Sequence, residues 1–133
     1  MSLYVDSSAW LKRYVAESDS DIAERYLLAD TDWITARHTW VEVRRNLARL
    51  LQRRALAEAQ RHFERDFRRT HVVELDETTC GLAAEIAEAT LLRTLDALHL
   101  AALRRVAHDL PLLSFDIRQA QVARSLAISV LGA

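Results

Sequence analysis

Short apolar runs alternate with stretches of helical periodicity along the whole chain. Five runs read as buried strands: Leu3 to Val5, Trp33 to Thr35, Val72 to Leu75, Leu112 to Phe115, and Ile128 to Leu131. Between them, apolar residues recur at steps of three and four. The sets are Trp40, Val43, Leu47 and Leu50, then Leu56, Ala59, Phe63 and Phe67, then Leu82, Ile86 and Ala89. Strands that alternate with helical crossovers predict a mainly parallel sheet of roughly five strands with helices on both faces, a three-layer α/β/α arrangement. Helix starts are expected at Ser18 with Asp21, at Thr39 with Glu42, and at Asp76 ahead of a helix over 78–92. Pro111 suits the beginning of the fourth strand, after a helix over 95–107 has ended.

Composition narrows the class. With 133 residues, half of them hydrophobic, the chain can bury one sizeable core, and a single domain over 1–133 is expected. Two glycines, one proline and 28% charged residues exclude collagen-like, low-complexity and disordered classes. Cys80 stands alone, and no Cys/His spacing suggests structural zinc, so a reducing, cytoplasmic setting is expected. Leu3-Tyr4-Val5 followed by Asp6 is no signal sequence, and no window approaches the roughly 18 apolar residues of a membrane helix.

The formal net charge of −1 conceals opposed segments. Residues 1–36 hold 3 basic and 7 acidic groups, residues 37–69 hold 10 arginines against Glu42, Glu58, Glu64 and Asp66, and residues 70–133 hold 5 basic against 8 acidic groups. The middle third is a basic block. All the basic residues except Lys12 are arginines, whose guanidinium forks suit phosphate, although such a block can equally solvate two helices.

Candidate chemistry lies in carboxylates. Ligands of an open parallel sheet bind outside the carboxyl ends of its strands, where Asp6 and Asp116 are expected, although an Asp at a strand-to-helix junction is also an ordinary N-cap. Asp96 lies in Leu95-Asp96-Ala97-Leu98-His99-Leu100-Ala101-Ala102-Leu103, a helix with little polar face. A buried carboxylate needs a cation, a donor network or a shifted pKa, and the competing role is a first-turn position beside a Thr94 cap. Glu42 completes a capping box in Thr39-Trp40-Val41-Glu42, yet it also heads a polar stripe with Arg45, Asn46, Arg49 and Arg53. His99 follows Asp96 at i+3 and could orient it, with a core or interface role the simpler reading. His38, His62, His71 and His108 have no ligand spacing, Cys80 has no evident partner, and both glycine-rich phosphate loops are absent.

Four segments together resemble the PIN-domain ribonucleases of the VapC toxin type. They are Tyr4-Val5-Asp6-Ser7-Ser8-Ala9, Val41-Glu42-Val43-Arg44, Leu95-Asp96-Ala97-Leu98-His99-Leu100-Ala101, and Leu113-Ser114-Phe115-Asp116, which span almost the whole chain. The resemblance implies an acidic quartet at Asp6, Glu42, Asp96 and Asp116, with Ser8 and Ser114 as polar helpers. It implies a Mg²⁺- or Mn²⁺-dependent endoribonuclease, commonly a homodimer, neutralised by a small VapB-like antitoxin. Oxygen-only ligands suit those ions. Within this reading Asp6 and Asp96 are the expected direct ligands, Asp116 a ligand or outer-sphere holder, and Glu42 the water-positioning acid. Arg45 and Arg49 are expected on the RNA side, and Trp10 and Tyr14 on an antitoxin-facing surface, with core packing as their competing role. Ala127 departs from the family pattern, which often has glycine there.

The alternatives are a PIN nuclease of RNA processing and a non-catalytic α/β interaction domain. A receiver-like domain lacks its late lysine, since the only Lys is Lys12, and a dehalogenase-type phosphatase would need Asp where Ser8 stands.

Overall fold

Leu3, Tyr4 and Val5 are all buried, as the central strand of a parallel sheet covered on both faces requires. The computed structural model describes residues 2–133 and places that segment as β1 (Ser2–Val5). The chain continues through α1 (Ser7–Tyr14), α2 (Ser20–Ala29), β2 (Asp32–Ala36), α3 (Thr39–Leu50), α4 (Arg53–Arg68) and β3 (His71–Val73). It then forms α5 (Glu77–Thr90), α6 (Thr94–Val106), β4 (Leu112–Ser114), α7 (Ile117–Ser125) and β5 (Val130–Gly132). The strands run parallel in the order β3-β2-β1-β4-β5, with Tyr4 opposite both Ile34 and Leu112. The α/β architecture therefore matches the expected parallel five-stranded sheet. Among the described residues no helix is long and apolar enough to cross a membrane.

Side-chain alternation divides β1 between two cores. Leu3 and Val5 face Trp10, Leu27, Val43, Leu47, Phe63 and Phe67. Tyr4 faces the opposite layer, with Ile86, Leu100 and Leu103. The 37–69 periodicity breaks between α3 and α4: Leu51 is extended and Arg53 has φ 51°. Arg53 thus opens α4 and falls off the polar stripe, which ends at Arg49. Leu50 and Ala89 are exposed, so their helices bury narrower faces than the spacing predicts. The strand expected from Val72 to Leu75 is shifted to His71–Val73, and Ile128 lies ahead of β5 in the preceding turn.

Capping follows the sequence at Asp6, Asp76 and Asp116 and departs from it at Ser18 and Thr39, as it does at Thr94. Asp6, Asp76 and Asp116 each accept the third following backbone N–H, from Ala9, Thr79 and Gln119. Ser18 caps nothing: Asp19 precedes α2, and Ser20 Oγ accepts from Glu17 N and donates to Val15 O. Thr39 is also no cap, because its hydroxyl turns inward to Thr35 Oγ1 at 2.7 Å.

The expected surface at Trp10 and Tyr14 is overturned. Trp10 has no exposure, and the Tyr14 hydroxyl donates to Asp66 at 2.7 Å. Exposed apolar side chains occur instead at Val41, Leu91, Leu95 and Ile117.

Ala127 explains why a glycine suits its position. It ends α7 in the left-handed region with φ 61°, donating to Arg124 O while Ile128 N donates to Ala123 O, both at 3.0 Å. These are the two hydrogen bonds of a Schellman turn. A Cβ there costs about 1–2 kcal/mol, and glycine adds about 0.4–1 kcal/mol of unfolded-chain entropy. Ala127→Gly is therefore expected to stabilise the fold by about 0.5–1 kcal/mol, seen as a higher urea midpoint at unchanged slope. A lower midpoint would refute this.

Candidate active site

The order of the strands reverses between β1 and β4, and ligands of open parallel sheets bind at such a reversal. Asp6 leaves the end of β1 and Asp116 follows the end of β4, with Asp6 N donating to Leu113 O across the pair at 3.2 Å. Glu42 enters from α3 and Asp96 from the first turn of α6. All four acids line one cleft of about 220 Å³.

At Asp6 and Asp116, capping and site geometry use different oxygens of the same carboxylate. Asp6 Oδ1 accepts from Ala9 N and Ser8 Oγ, while Oδ2 accepts from Ser114 Oγ at 2.6 Å. Asp116 gives Oδ1 to Gln119 N and turns Oδ2 to Arg93 at 2.9 Å. Ser8 and Ser114 also tie the strand ends together: Ser8 Oγ accepts from Phe115 N, and Ser114 Oγ accepts from Asp116 N. Both serines thus sit directly around Asp6.

Asp96 is buried, and Thr94 does not cap α6; the cap position belongs to Arg93. Arg93 Nε lies 2.9 Å from Asp96 Oδ2, and its NH2 reaches both Asp96 and Asp116. Burial pushes the Asp96 carboxyl above the usual range despite the guanidinium, and the neighbouring Asp116 adds to the rise. Burial also raises Asp6, outweighing His99, the two serines and the Ala9 amide. In both groups burial outweighs the hydrogen bonds and charges that favour the carboxylate.

Glu42 shows the opposite balance. Burial acts to raise it, but hydrogen bonds from His99 and Ser7 and the nearby His38 leave it below the ordinary value. Glu42 Oε1 accepts from Ser7 Oγ at 2.5 Å and lies 2.8 Å from His99 Nε2. His99 Nδ1 lies 2.8 Å from the Tyr4 hydroxyl, which burial keeps protonated. A Tyr4 hydroxyl donating to Nδ1 and an Nε2–H donating to Glu42 satisfy this chain of contacts. So His99 is buried as the simpler reading held, but it serves Glu42; its ring nitrogens are committed to Tyr4, Glu42 and Ser7.

His38 stacks on His99 with ring centroids 4.1 Å apart, and its pKa is lowered to about 4, by burial first and then by His99. At neutral pH its 3.6 Å approach to Glu42 is therefore not an ion pair. Sequence reasoning missed Ser7, Arg93 and the part played by His38. Only Arg93 left a trace, three residues before Asp96 at the cap of the same helix.

Two donor sets meet at the cleft. Among the described residues, His38, Glu42 and His99 bring ligand atoms within 4.8 Å of one another. Each is already engaged, His38 Nε2 with Leu95 O at 3.0 Å and Glu42 with Ser7 and His99. The aspartates fit a hard cation better. They offer oxygen from three elements, two of them are raised by burial, and Mg²⁺ needs only one or two carboxylates beside its waters.

Arg45 and Arg49 lie beside the cleft through Asn46, one of its lining residues. Asn46 Nδ2 donates to Glu42 O, and its Oδ1 faces Arg45 and Arg49 at 3.3–3.4 Å. Neither arginine has a carboxylate partner among the described residues, whereas Arg37, Arg44 and Arg54 do.

Comparison with known proteins agrees with this architecture. Residues 3–125 match the model of the PIN domain. The chain is 34% identical over 137 residues to Ribonuclease VapC46 of Mycobacterium tuberculosis (strain ATCC 25618 / H37Rv), covering 98% of this chain and 96% of that protein. FitAcB from Neisseria gonorrhoeae superposes with a TM-score of 0.76 at 16% identity, covering 98% and 96% of the two chains. Mycobacterium tuberculosis VapC20, described as a sarcin-ricin loop cleaving toxin, gives 0.69 at 20% identity, covering 90% and 93%. With a family model over nearly its whole length and a relative at this identity, the chain belongs to the PIN domain family.

Proposed function

We propose that this protein is a VapC-type endoribonuclease that hydrolyses phosphodiester bonds in RNA with Mg²⁺ or Mn²⁺. The observation that carries the reading is the convergence of Asp6, Glu42, Asp96 and Asp116, from four separate elements, on one cleft at the reversal of strand order. The likeness to Ribonuclease VapC46 supports the same activity.

Asp6, Asp96 and Asp116 are the residues to hold the cation. When bound, it supplies a Lewis acid for the phosphate oxygens and acidifies a water for in-line attack. The chain's own groups do the rest. Ser8, Ser114 and the Ala9 amide fix the Asp6 carboxylate before any ligand arrives, so no reorganisation is needed at the reaction. Glu42, kept ionised by His99 and Ser7, is placed to orient a water and accept its proton.

A VapB-like antitoxin is the proposed partner, since one solved structure of this fold is described as a toxin–antitoxin complex from Klebsiella pneumoniae. A homodimer in the cytoplasm completes the proposal, and light scattering on the purified chain checks the dimer.

The test combines calorimetric Mn²⁺ titration with RNA cleavage, on wild type and Asp96→Asn, with EDTA as control. Wild type is expected to bind Mn²⁺ and cut RNA, EDTA to stop cleavage, and Asp96→Asn to lose both while remaining folded. A wild type that binds no divalent ion and leaves RNA intact sinks the proposal.

Arg45 and Arg49 are proposed to contact the RNA backbone. Reversing both charges (Arg45→Glu with Arg49→Glu) is expected to weaken RNA binding. It should also reduce the slope of log K against log salt by roughly 1.4, about 0.7 per single-strand phosphate contact. An unchanged salt slope argues that these arginines only solvate α3.

A further inference from the structure

Among the described residues, Arg93 is the one arginine or lysine lining the acidic cleft. Its position at the start of α6, extended with ψ 148°, turns the side chain back over the first helical turn. There the guanidinium spans two acids from different elements, with NH2 2.8 Å from Asp96 Oδ2 and 2.9 Å from Asp116 Oδ2. Its side chain is 72% exposed while that of Asp96 is only 12% exposed, so the cation covers the carboxylates from the solvent side. Little packing opposes its rotation away from them.

This placement sets up a competition. At Asp116, whose Oδ1 is taken by Gln119 N, a divalent cation needs the Oδ2 that now accepts from Arg93, and at Asp96 it must share the carboxylate with the same guanidinium. A guanidinium freed at the rim of this cleft has a second planar partner available, the two non-bridging oxygens of a phosphodiester. We propose that Arg93 is an exchanging residue. It neutralises Asp96 and Asp116 while the site is empty of substrate, yields those oxygens to the divalent cation, and then grips the RNA phosphate. This inference rests on the nuclease reading for its ligand, and it makes Arg93 a substrate-binding residue for that reaction. The geometry also supplies a purpose: three aspartates opening on one cleft would otherwise repel one another and the approaching RNA.

The experiment takes the full chain as wild type, Arg93→Ala and Arg93→Lys. Mn²⁺ affinity is measured calorimetrically without RNA, and steady-state cleavage is resolved into kcat and KM. With its competitor removed, Arg93→Ala is expected to bind Mn²⁺ about three- to tenfold more tightly, the range of one or two exposed ion pairs. Its KM for RNA should rise by about tenfold. Arg93→Lys, which keeps the charge and loses the fork, should restore the Mn²⁺ affinity toward wild type and recover KM only in part. Unchanged or weaker Mn²⁺ binding by Arg93→Ala overturns the competition, and an unchanged KM overturns the grip on phosphate. A wild type that neither binds Mn²⁺ nor cuts RNA removes the nuclease reading itself, an outcome separate from either result with the Arg93 variants.

Discussion

Asp6→Asn is expected to abolish RNA cleavage and yet to yield a more stable protein. Cleavage is expected to fall on the order of a thousandfold or more, about 4 kcal/mol of lost transition-state stabilisation, because the most enclosed of the proposed oxygen ligands disappears. The stability gain follows from burial. Burial raises the folded-state pKa of Asp6 above its unfolded value, so between those two values the folded chain binds more protons than the unfolded one. Stability then falls as pH rises through that window, from the ordinary carboxylate range to the raised value, and remains reduced at neutral pH. Asparagine carries no charge to desolvate. Its carbonyl can still accept from Ala9 N, and its amide can donate to Ser114 Oγ. A gain of about 1 kcal/mol is expected at pH 7, or roughly 3–5 °C in Tm. Calorimetric scans of both proteins from pH 4 to 8 check it. The difference should be small in acid, grow through the window and level off; a variant less stable than wild type at pH 7, or one that still cuts RNA, contradicts the argument.

Trp10→Ala is expected to cost about 3–5 kcal/mol, much of the roughly 5–15 kcal/mol that holds a domain of this size together. Trp10 is fully buried and meets Trp33 and Phe63 edge-on, each at 5.5 Å between ring centroids. Its indole donates to Val5 O at 3.1 Å. That carbonyl also accepts from Thr35 Oγ1, so truncation leaves no orphaned acceptor and the penalty is one of packing. Because Val5 directly precedes Asp6, a cavity under α1 also loosens the site. Urea denaturation reads the loss directly, and a change below 1 kcal/mol would contradict the packing account. Failure of this variant to bind an antitoxin would report lost folding and not a lost interface.

Asp6 and Asp116 were legible because each ends an apolar run at a place fixed by strand geometry. Their capping role, which competes with chemistry on paper, uses one carboxylate oxygen and leaves the other to groups of the cleft, Ser114 at Asp6 and Arg93 at Asp116. Glu42 was ambiguous because Thr39-Trp40-Val41-Glu42 spells a capping box. The ambiguity is resolved by Thr35, four residues earlier, whose hydroxyl draws Thr39 inward. The buried role of His99 was legible in its apolar helix, but its partner was not: i+3 spacing points to Asp96, whereas Glu42 lies 57 residues away in sequence and meets it only in the folded chain. Arg53 was placed on the wrong helix because hydrophobic spacing continues through a two-residue break that a left-handed backbone conformation creates. Local periodicity thus carried the elements and the strand-end acids, while everything that orients those acids arises from non-local contacts.

The central position of β1 has a consequence for the protein's birth. Its two neighbours come from opposite ends of the chain, and Asp6 waits for Ser114, 108 residues later, before its second oxygen is held. At a synthesis rate of about 5–20 residues per second, that interval lasts roughly 5–20 s. Parallel pairing over such a separation also forms slowly once the strands exist. A nascent chain therefore presents Asp6 and Glu42 with neither Asp96 nor Asp116 beside them. The four acids of the cleft come together only after Asp116 has been made and β4 has paired with β1.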